Sequence, residues 1–331
     1  MQKAIITGGA GYIGSNLADF LLKQSWTVKV VDNFFSGKMN FIEHNLKNPN
    51  FSYEKVDLKD SENVEKSFSG NYDIVFHFAA NADVKGGAEH PTLDLEEGCI
   101  PISNVLEAMR KNNIKKVVFS STGSIYGEPK IFPTPENAPF PIQTSMYGAA
   151  KLYGEGLIQS YCESFGMQAW IYRFVSILGE RYTHGVVFSF YKQLMDQKDK
   201  EQKELVFLSD GTPLKSYLYV GDCIKGIWHG LNNSNEKVNI FNLGTDEEMS
   251  VKKIADIVVE RMNLNEKVNY KYGAQQRGWI GDSPHIRLDI TKLRNLGWEP
   301  QLTIKEAILK TIGYLEENEW VINENYFREK Y

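Results

Sequence analysis

The chain has 331 residues, 42% hydrophobic and 24% charged, with a formal charge of −5 and a pI near 5.8. This composition suits a folded chain with a large core or two lobes and gives no general attraction to nucleic acid or to an anionic membrane, so a phosphate-bearing ligand must be met locally. The three cysteines, Cys99, Cys162 and Cys223, lack metal-binding spacing and read as small buried residues of a reducing cytoplasm, and no signal segment, membrane span or metal site is expected.

In chain order, the apolar run Ala4 to Ile6 breaks at Thr7-Gly8-Gly9, and Ile13, Leu17, Phe20 and Leu21 recur at helical spacing, which predicts a strand, a tight turn and a helix. Gly8, Gly11 and Gly14 stand at G-x-x-G-x-x-G spacing, so the turn can bend, backbone can approach a pyrophosphate, and the helix start can hold the anion. Gly8, Gly11, Tyr12 and Ile13 are the first candidates for contact with a dinucleotide. The strand Thr27 to Val31 ends at Asp32, whose carboxylate is placed for an adenosine ribose hydroxyl and repels a 2′-phosphate, so NAD is expected over NADP. The plainer account of Asp32-Asn33 is a turn before a loop.

The loop from Asn33 to Lys38 runs past the adenosine. Phe51 to Val56 reads as a weaker strand leading to Asp57-Leu58, where Asp57 either meets the adenine edge or leads a helix. Tyr72 to Phe78 is a buried strand running into Ala79-Ala80-Asn81-Ala82, and the small side chains beside Phe78, Ala79 and Ala80 let a dinucleotide lie close to the backbone. Asp83 to Ile100 lacks a clean period and is expected to cover a ligand or fray. Ile102 to Met109 is a helix, and Lys116 to Thr122 a strand ending in three hydroxyls. Repeated strand and helix units predict an α/β fold: a Rossmann-type doubly wound parallel sheet.

Ligands of such a sheet bind beyond the carboxyl ends of its strands, where Ser120-Ser-Thr122 stops. Tyr147 and Lys151 follow at i and i+4 on one helix face. A phenol has an ordinary pKa near 10, about three units too high for a base at neutral pH, and a nearby ammonium together with a cationic nicotinamide favours phenolate. Lys151 can also reach a ribose hydroxyl, and Thr122 can donate to an oxygen on which charge develops. Taken alone, the Tyr-x-x-x-Lys pattern reads first as an exposed helix pair, and it becomes the favoured hydride-transfer site only after a dinucleotide fingerprint and a strand ending in Ser/Thr. Thr122 also fits a strand-end cap.

Thr7 to Gly14, Phe78 to Asp83, Ser120 to Gly127, Tyr147-x-x-x-Lys151 and Arg173 to Gly179 together resemble the extended short-chain dehydrogenase/reductase family in its NAD-dependent nucleotide-sugar epimerase/dehydratase branch. The similarity continues through Tyr217 to Asp222, Phe241 to Gly244 and Leu296 to Pro300. The resemblance implies tightly held NAD, a nucleoside-diphosphate sugar substrate, and Thr122, Tyr147 and Lys151 as the catalytic set. Relatives that eliminate water carry Asp-Glu directly after the threonine. Here Gly123-Ser124 stand there, and neither supplies a carboxylate base, which favours C4 epimerisation over dehydration or C5 decarboxylation. A dehydrogenase that releases NADH and a keto sugar, and a nucleotide-binding protein without activity, are the rival readings.

The resemblance also assigns Lys85, Ser124, Ser176, Lys215, Arg277 and Asp282 to the sugar-nucleotide cleft. Lys215 stands where an arginine is common, Ser176 replaces the usual asparagine, and Gly98 and Pro101 depart from Asn and Gly. It implies a homodimer paired through the helices Ile102 to Asn112 and Met146 to Phe165. The expected organisation is an NAD-binding domain over residues 1–175, joined by about 216–244, and a smaller C-terminal substrate-binding lobe over 176–331.

In that second part, Glu180 to Gly185 is a polar loop in which His184 either touches substrate or is an ordinary loop residue. Val186 to Leu194 is a helix, and the charged run Asp196 to Glu204 a solvated loop. Leu205 to Leu208, Ser216 to Val220 and Asn239 to Leu243 are strands, and a helix capped by Ser250 runs to Arg261. Gly278 to Pro284 forms a cleft rim, with Trp279 stacking or packing a hinge. Thr303 and Glu306 form a capping box for the helix Ile304 to Leu315, and the tail Glu316 to Tyr331 covers the lobe.

Overall fold

The computed structural model describes residues 2–81, 83–139 and 142–323; Ala82 and the tail beyond Asn323 lie outside them. Its first half alternates β1 (Lys3–Thr7), α1 (Tyr12–Lys23), β2 (Thr27–Asp32), β3 (Phe51–Lys55), α2 (Ser61–Ser67), β4 (Ile74–His77), α3 (Gly86–Glu89), α4 (Ile100–Lys111), β5 (Lys116–Thr122), α5 (Met146–Phe165) and β6 (Gln168–Phe174). Then come β7 (Ser176–Leu178), α6 (Val186–Met195), β8 (Lys203–Val206), β9 (Leu214–Lys215), β10 (Tyr217–Tyr219), α7 (Val220–Asn233), β11 (Val238–Leu243), β12 (Met249–Ser250), α8 (Val251–Arg261), β13 (Val268–Lys271), β14 (His285–Ile286), α9 (Thr291–Arg294), α10 (Ile304–Glu317) and α11 (Trp320–Asn323).

Among the described residues the main sheet is parallel, seven-stranded and ordered β11-β6-β5-β4-β1-β2-β3. Its central strands are buried on both faces, which explains continuous apolar runs such as Ile74-Val-Phe76. Successive β1 residues feed opposite layers: Ala4 and Ile6 pack with Leu17 and Leu21 of α1, whereas Ile5 packs with Val105 of α4 and Ile158 of α5. A separate core joins α6, α8 and α10 through Leu194, Ile254 and Ile308. The chain departs in opposite directions from β1 and β4, so a crevice opens beyond their carboxyl ends.

Three local expectations change. Of the two expectations for the 83–100 stretch, fraying does not hold: α3 is followed by a π-helical turn, Leu95–Cys99, that runs directly into α4. Asp57 does not lead a helix; Asp60 caps α2 by accepting from Asn63 N, and Asp57 accepts from Lys59 N at 2.9 Å in a turn. The charged run 196–204 is only partly a solvated loop, because Lys203 opens β8 with its ammonium buried on the carbonyls of Lys200 and Lys198. Helix α7 gives no clear sequence signal. The caps at Ser250 and at Thr303 with Glu306 form as expected.

Candidate active site

At the end of β1 the chain turns through Gly8, with φ 68°, and Gly11 opens α1 without any side-chain cap. A Cβ at Gly8 would lie 2.6 Å from Ala79 N, and one at Gly14 only 2.3 Å from Gly8 O. Only glycine therefore allows this turn to close against the 78–80 segment, and the first N–H groups of α1 keep their capacity for an anion. Asp32 Oδ2 accepts from Ala10 N at 2.9 Å and Oδ1 from Phe34 N at 2.8 Å. Burial raises the pKa of this carboxyl against the pull of both amides. An uncapped helix start behind glycines, with a fixed acid at the next strand end, fits a dinucleotide.

These groups form one end of a cleft of about 340 Å³. Gly8, Gly11, Tyr12, Ile13, Asp32, Asn33, Asp57, Leu58, Phe78, Ala79 and Ala80 all line it, as do Thr122, Ser124, Tyr147, Lys151, Ser176 and His184. Val84, Glu97, Pro101, Tyr182 and Ile286 also line it and carry no sequence signal for this role. Glu97 enters through an ion pair with Lys59, a partner 38 residues away that no local pattern announces. Among the described residues the carboxylates on the cleft wall are Asp32, Asp57 and Glu97, all at the β2 and β3 end.

At the other end β5 and α5 set the reactive side chains. Ser145 caps α5 by accepting from Gly148 N at 3.0 Å, which fixes the first turn and places Tyr147 and Lys151 on the face toward β5. Lys151 is buried, with Nζ 2.6 Å from the Ser120 carbonyl and 5.8 Å from the Tyr147 ring centre. The exposed-pair reading of Tyr-x-x-x-Lys is thereby overturned. Thr122 takes the cap reading, its Oγ1 accepting from Ser124 N at 3.1 Å to cap the 3₁₀ turn Gly123–Tyr126, and it also lines the cleft.

The electrostatics are set by dryness. Burial lowers Lys151 to about 7, opposed by Asp94 and Glu155. Burial also pushes the Tyr147 phenol well up, Asp94 adds to that, and Thr122 lowers it. Tyr147 is thus a neutral phenol in the protein alone. Behind this face Glu155 takes Arg173 at 3.0 and 2.7 Å and Ser121 at 2.5 Å.

Lys85, Lys215, Arg277 and Asp282 are not on the cleft wall. Lys85 lies 3.8 Å from Glu89, and Arg277 pairs with Glu128. Half-buried Lys215 and buried Asp282 form a pair at 2.5 Å, with the ammonium 5.4 Å from the Trp279 ring centre. Trp279 therefore stacks on a cation. Ser283 gives to the Gly127 carbonyl at 3.2 Å, which brings this loop beside the turn that follows β5.

Comparison with known proteins gives concordant matches. The NAD dependent epimerase/dehydratase family matches residues 4–244. A UDP-glucose 4-epimerase of Corynebacterium glutamicum is 31% identical over 323 residues, covering 93% of this chain and 94% of its own. The UDP-glucose 4-epimerase of Thermotoga maritima, solved with UDP-glucose, is 30% identical with a TM-score of 0.85 over 96% of this chain and 100% of its own. The UDP-glucose 4-epimerase of Thermus thermophilus, solved with NAD, is 30% identical with a TM-score of 0.81 over 95% of this chain and 99% of its own.

Proposed function

The chain belongs to the NAD dependent epimerase/dehydratase family, and from that premise we propose that it is an NAD-dependent nucleotide-sugar C4 epimerase acting on a UDP-hexose or a related nucleoside-diphosphate sugar. One observation carries the choice within the family. The only carboxylates on the cleft wall among the described residues sit at the dinucleotide end, and beyond Thr122 stand Gly123 and Ser124. A base for elimination or decarboxylation at a neighbouring carbon is therefore missing where the sugar lies.

Gly8, Gly11, Tyr12, Ile13, Asp32, Asn33, Asp57, Leu58, Phe78, Ala79 and Ala80 would hold NAD, with the pyrophosphate on α1 and the ribose at Asp32. When bound, NAD supplies the hydride acceptor, the donor for the return step and, in its oxidised form, a positive ring that favours phenolate. Tyr147 takes the proton of the 4-hydroxyl. Thr122 donates to that oxygen as charge develops, a role for which its side chain is already held by the turn it caps. Lys151, anchored on the Ser120 carbonyl, supplies the charge that lowers the phenol and reaches the cofactor ribose. Inversion needs no second base, because a flat 4-keto sugar can turn its other face before Tyr147 returns the proton.

The remaining parts of the proposal concern the rest of the molecule. Ser124 and Ser176 on the wall meet the sugar and diphosphate. Lys85, Lys215, Arg277 and Asp282 act at its outer end, within a substrate lobe over 176–331 set against an NAD domain over 1–175 and about 216–244. A homodimer through α4 and α5 is supported by exposed Leu95, Ile100, Met146, Tyr153 and Phe165 on or beside those helices. No helix of the described residues is long and apolar enough to cross a membrane, and free cysteines suit the proposed cytoplasmic location.

The decisive experiment incubates the enzyme with UDP-, GDP-, CDP- and dTDP-sugars carrying deuterium at C4. Epimerised product that keeps the deuterium without net NADH release is expected. Stoichiometric NADH release, or a 4-keto-6-deoxy product, refutes the proposal in favour of the dehydrogenase or the dehydratase.

A further inference from the structure

Behind Tyr147 and Lys151 lies a second, very small cavity of about 10 Å³, whose wall carries a single acid, Asp94, beside Asn81 and Gly98. Asp94 immediately precedes the π-helical turn and is 3% exposed. Asn81 Nδ2 gives Oδ1 a hydrogen bond at 3.1 Å, while Oδ2 is buried without a partner. A bare carboxylate oxygen in so dry a place is costly, and a charge near it offsets the cost. The other acid near Lys151 is Glu155, and Arg173 already neutralises it. Among the described residues no cation is bonded to Asp94, and the hydrogen bonds of the Lys151 ammonium go to Ser120.

We propose, resting on the catalytic assignment above, that Asp94 is a positioning residue whose uncompensated carboxylate is the counter-charge of the Lys151 ammonium across the small cavity. The neighbours of Lys151 define what else acts on it. From β5 come the Ser120 carbonyl at 2.6 Å, the Ser120 hydroxyl at 3.4 Å and the Phe119 ring at 4.8 Å. His77 faces it from β4, and burial with the lysine charge holds that imidazole neutral, its pKa down to about 3. Tyr147 and Glu155 flank it on α5, and Asp83 and Cys99 are the other titratable neighbours of Asp94. Burial lowers Lys151; Asp94 is the larger of the two groups that raise it again, and the same charge raises Tyr147. Removing the charge therefore moves both groups to lower pH.

Asp94→Asn keeps the shape and removes the charge. In protein carrying ¹³C-lysine and saturated with NAD, the Lys151 ε-carbon, assigned by its loss in Lys151→Met, should titrate about one pH unit lower than in the wild type. Both limbs of the kcat profile should move acidward together, so that activity at fixed pH on the alkaline limb falls about tenfold. Asp94→Glu should restore both readouts in part, and Asp94→Ser replaces the amide variant if that one does not fold. An unmoved Lys151 midpoint overturns the proposal, as does a lower kcat with unmoved limbs, which marks Asp94 as a packing residue only. A wild type that epimerises no nucleotide sugar refutes the catalytic assignment instead, and the Lys151 titration then still decides whether Asp94 is its counter-charge.

Discussion

Replacing Glu155 by alanine tests how the site is held together. Its carboxylate accepts three hydrogen bonds, from Ser121 Oγ at 2.5 Å and from Arg173 at 3.0 and 2.7 Å, with both charged partners at most 2% exposed. Each bond to a charged group is worth roughly 1.5 kcal/mol, which sets the loss of the three at about 4.5 kcal/mol. That value lies within the roughly 3 to 5 kcal/mol found when one partner of a buried pair is removed. Arg173 keeps its bonds to the Tyr126 hydroxyl at 2.6 Å and to the Glu136 carbonyl at 2.8 Å, so the chain should still fold. Ser121 precedes Thr122, and Lys151 lies one turn before Glu155, so the same change loosens the strand and helix that carry the reactive groups. Urea unfolding followed by tryptophan fluorescence measures the loss, and a paired Glu155→Leu, Arg173→Met variant should regain most of it, because two apolar residues leave no charge behind. A loss below about 1 kcal/mol, or a double variant as unstable as the sum of the single changes, refutes the account.

Tyr147→Phe removes the proposed base and keeps the ring, so turnover should drop by roughly 10² to 10⁴-fold with unchanged unfolding. Thr122→Val should cost about 2 to 4 kcal/mol of barrier, read as kcat/KM, and an effect below threefold excludes the threonine as a donor. Asp32 predicts tighter binding of NAD than of NADP by calorimetry, and equal constants refute the repulsion argument. His77, with its folded pKa lowered to about 3, binds a proton in the unfolded chain first, so stability falls as pH drops from the ordinary histidine value to about 3. The difference amounts to roughly 5 kcal/mol at its limit, and His77→Gln should lose that part of the acid sensitivity. Sedimentation at micromolar protein should give twice the chain mass, and a clean monomer excludes pairing through α4 and α5.

What was legible in the sequence was local chemistry. The Gly8, Gly11 and Gly14 series, Asp32, Thr122 and the Tyr147/Lys151 pair each announce themselves within a few residues, and the structure brings all of them to one cleft. Helix α7 was hidden by the packing that makes it necessary. A Cβ at Gly226 would stand 2.5 Å from Leu243 Cδ1, and one at Gly230 2.5 Å from the Tyr172 hydroxyl, so a helix pressed this closely to β6 and β11 carries glycines that read as a turn. Asp94 was illegible for another reason. Its importance lies in the missing partner of Oδ2 and in the charge on an element more than fifty residues further on, and neither leaves a pattern along the chain. Lys203 shows the converse: a lysine in a charged run reads as solvated until the carbonyls that receive it are in place.

The position of β11 at the end of the main sheet bears on how the protein is made. Strand β6 ends at Phe174 and its outer neighbour begins only at Val238, so the ribosome adds sixty-three residues before that edge can be covered. At about 5 to 20 residues per second, the edge of β6, with buried Trp170, Ile171 and Tyr172, waits for roughly 3 to 13 seconds. An uncovered edge of this kind is a template for pairing with another nascent chain. Fragments that stop after β6 should therefore aggregate, and synonymous codons that slow translation between Phe174 and Val238 should lower the soluble yield while leaving every residue of the finished protein the same.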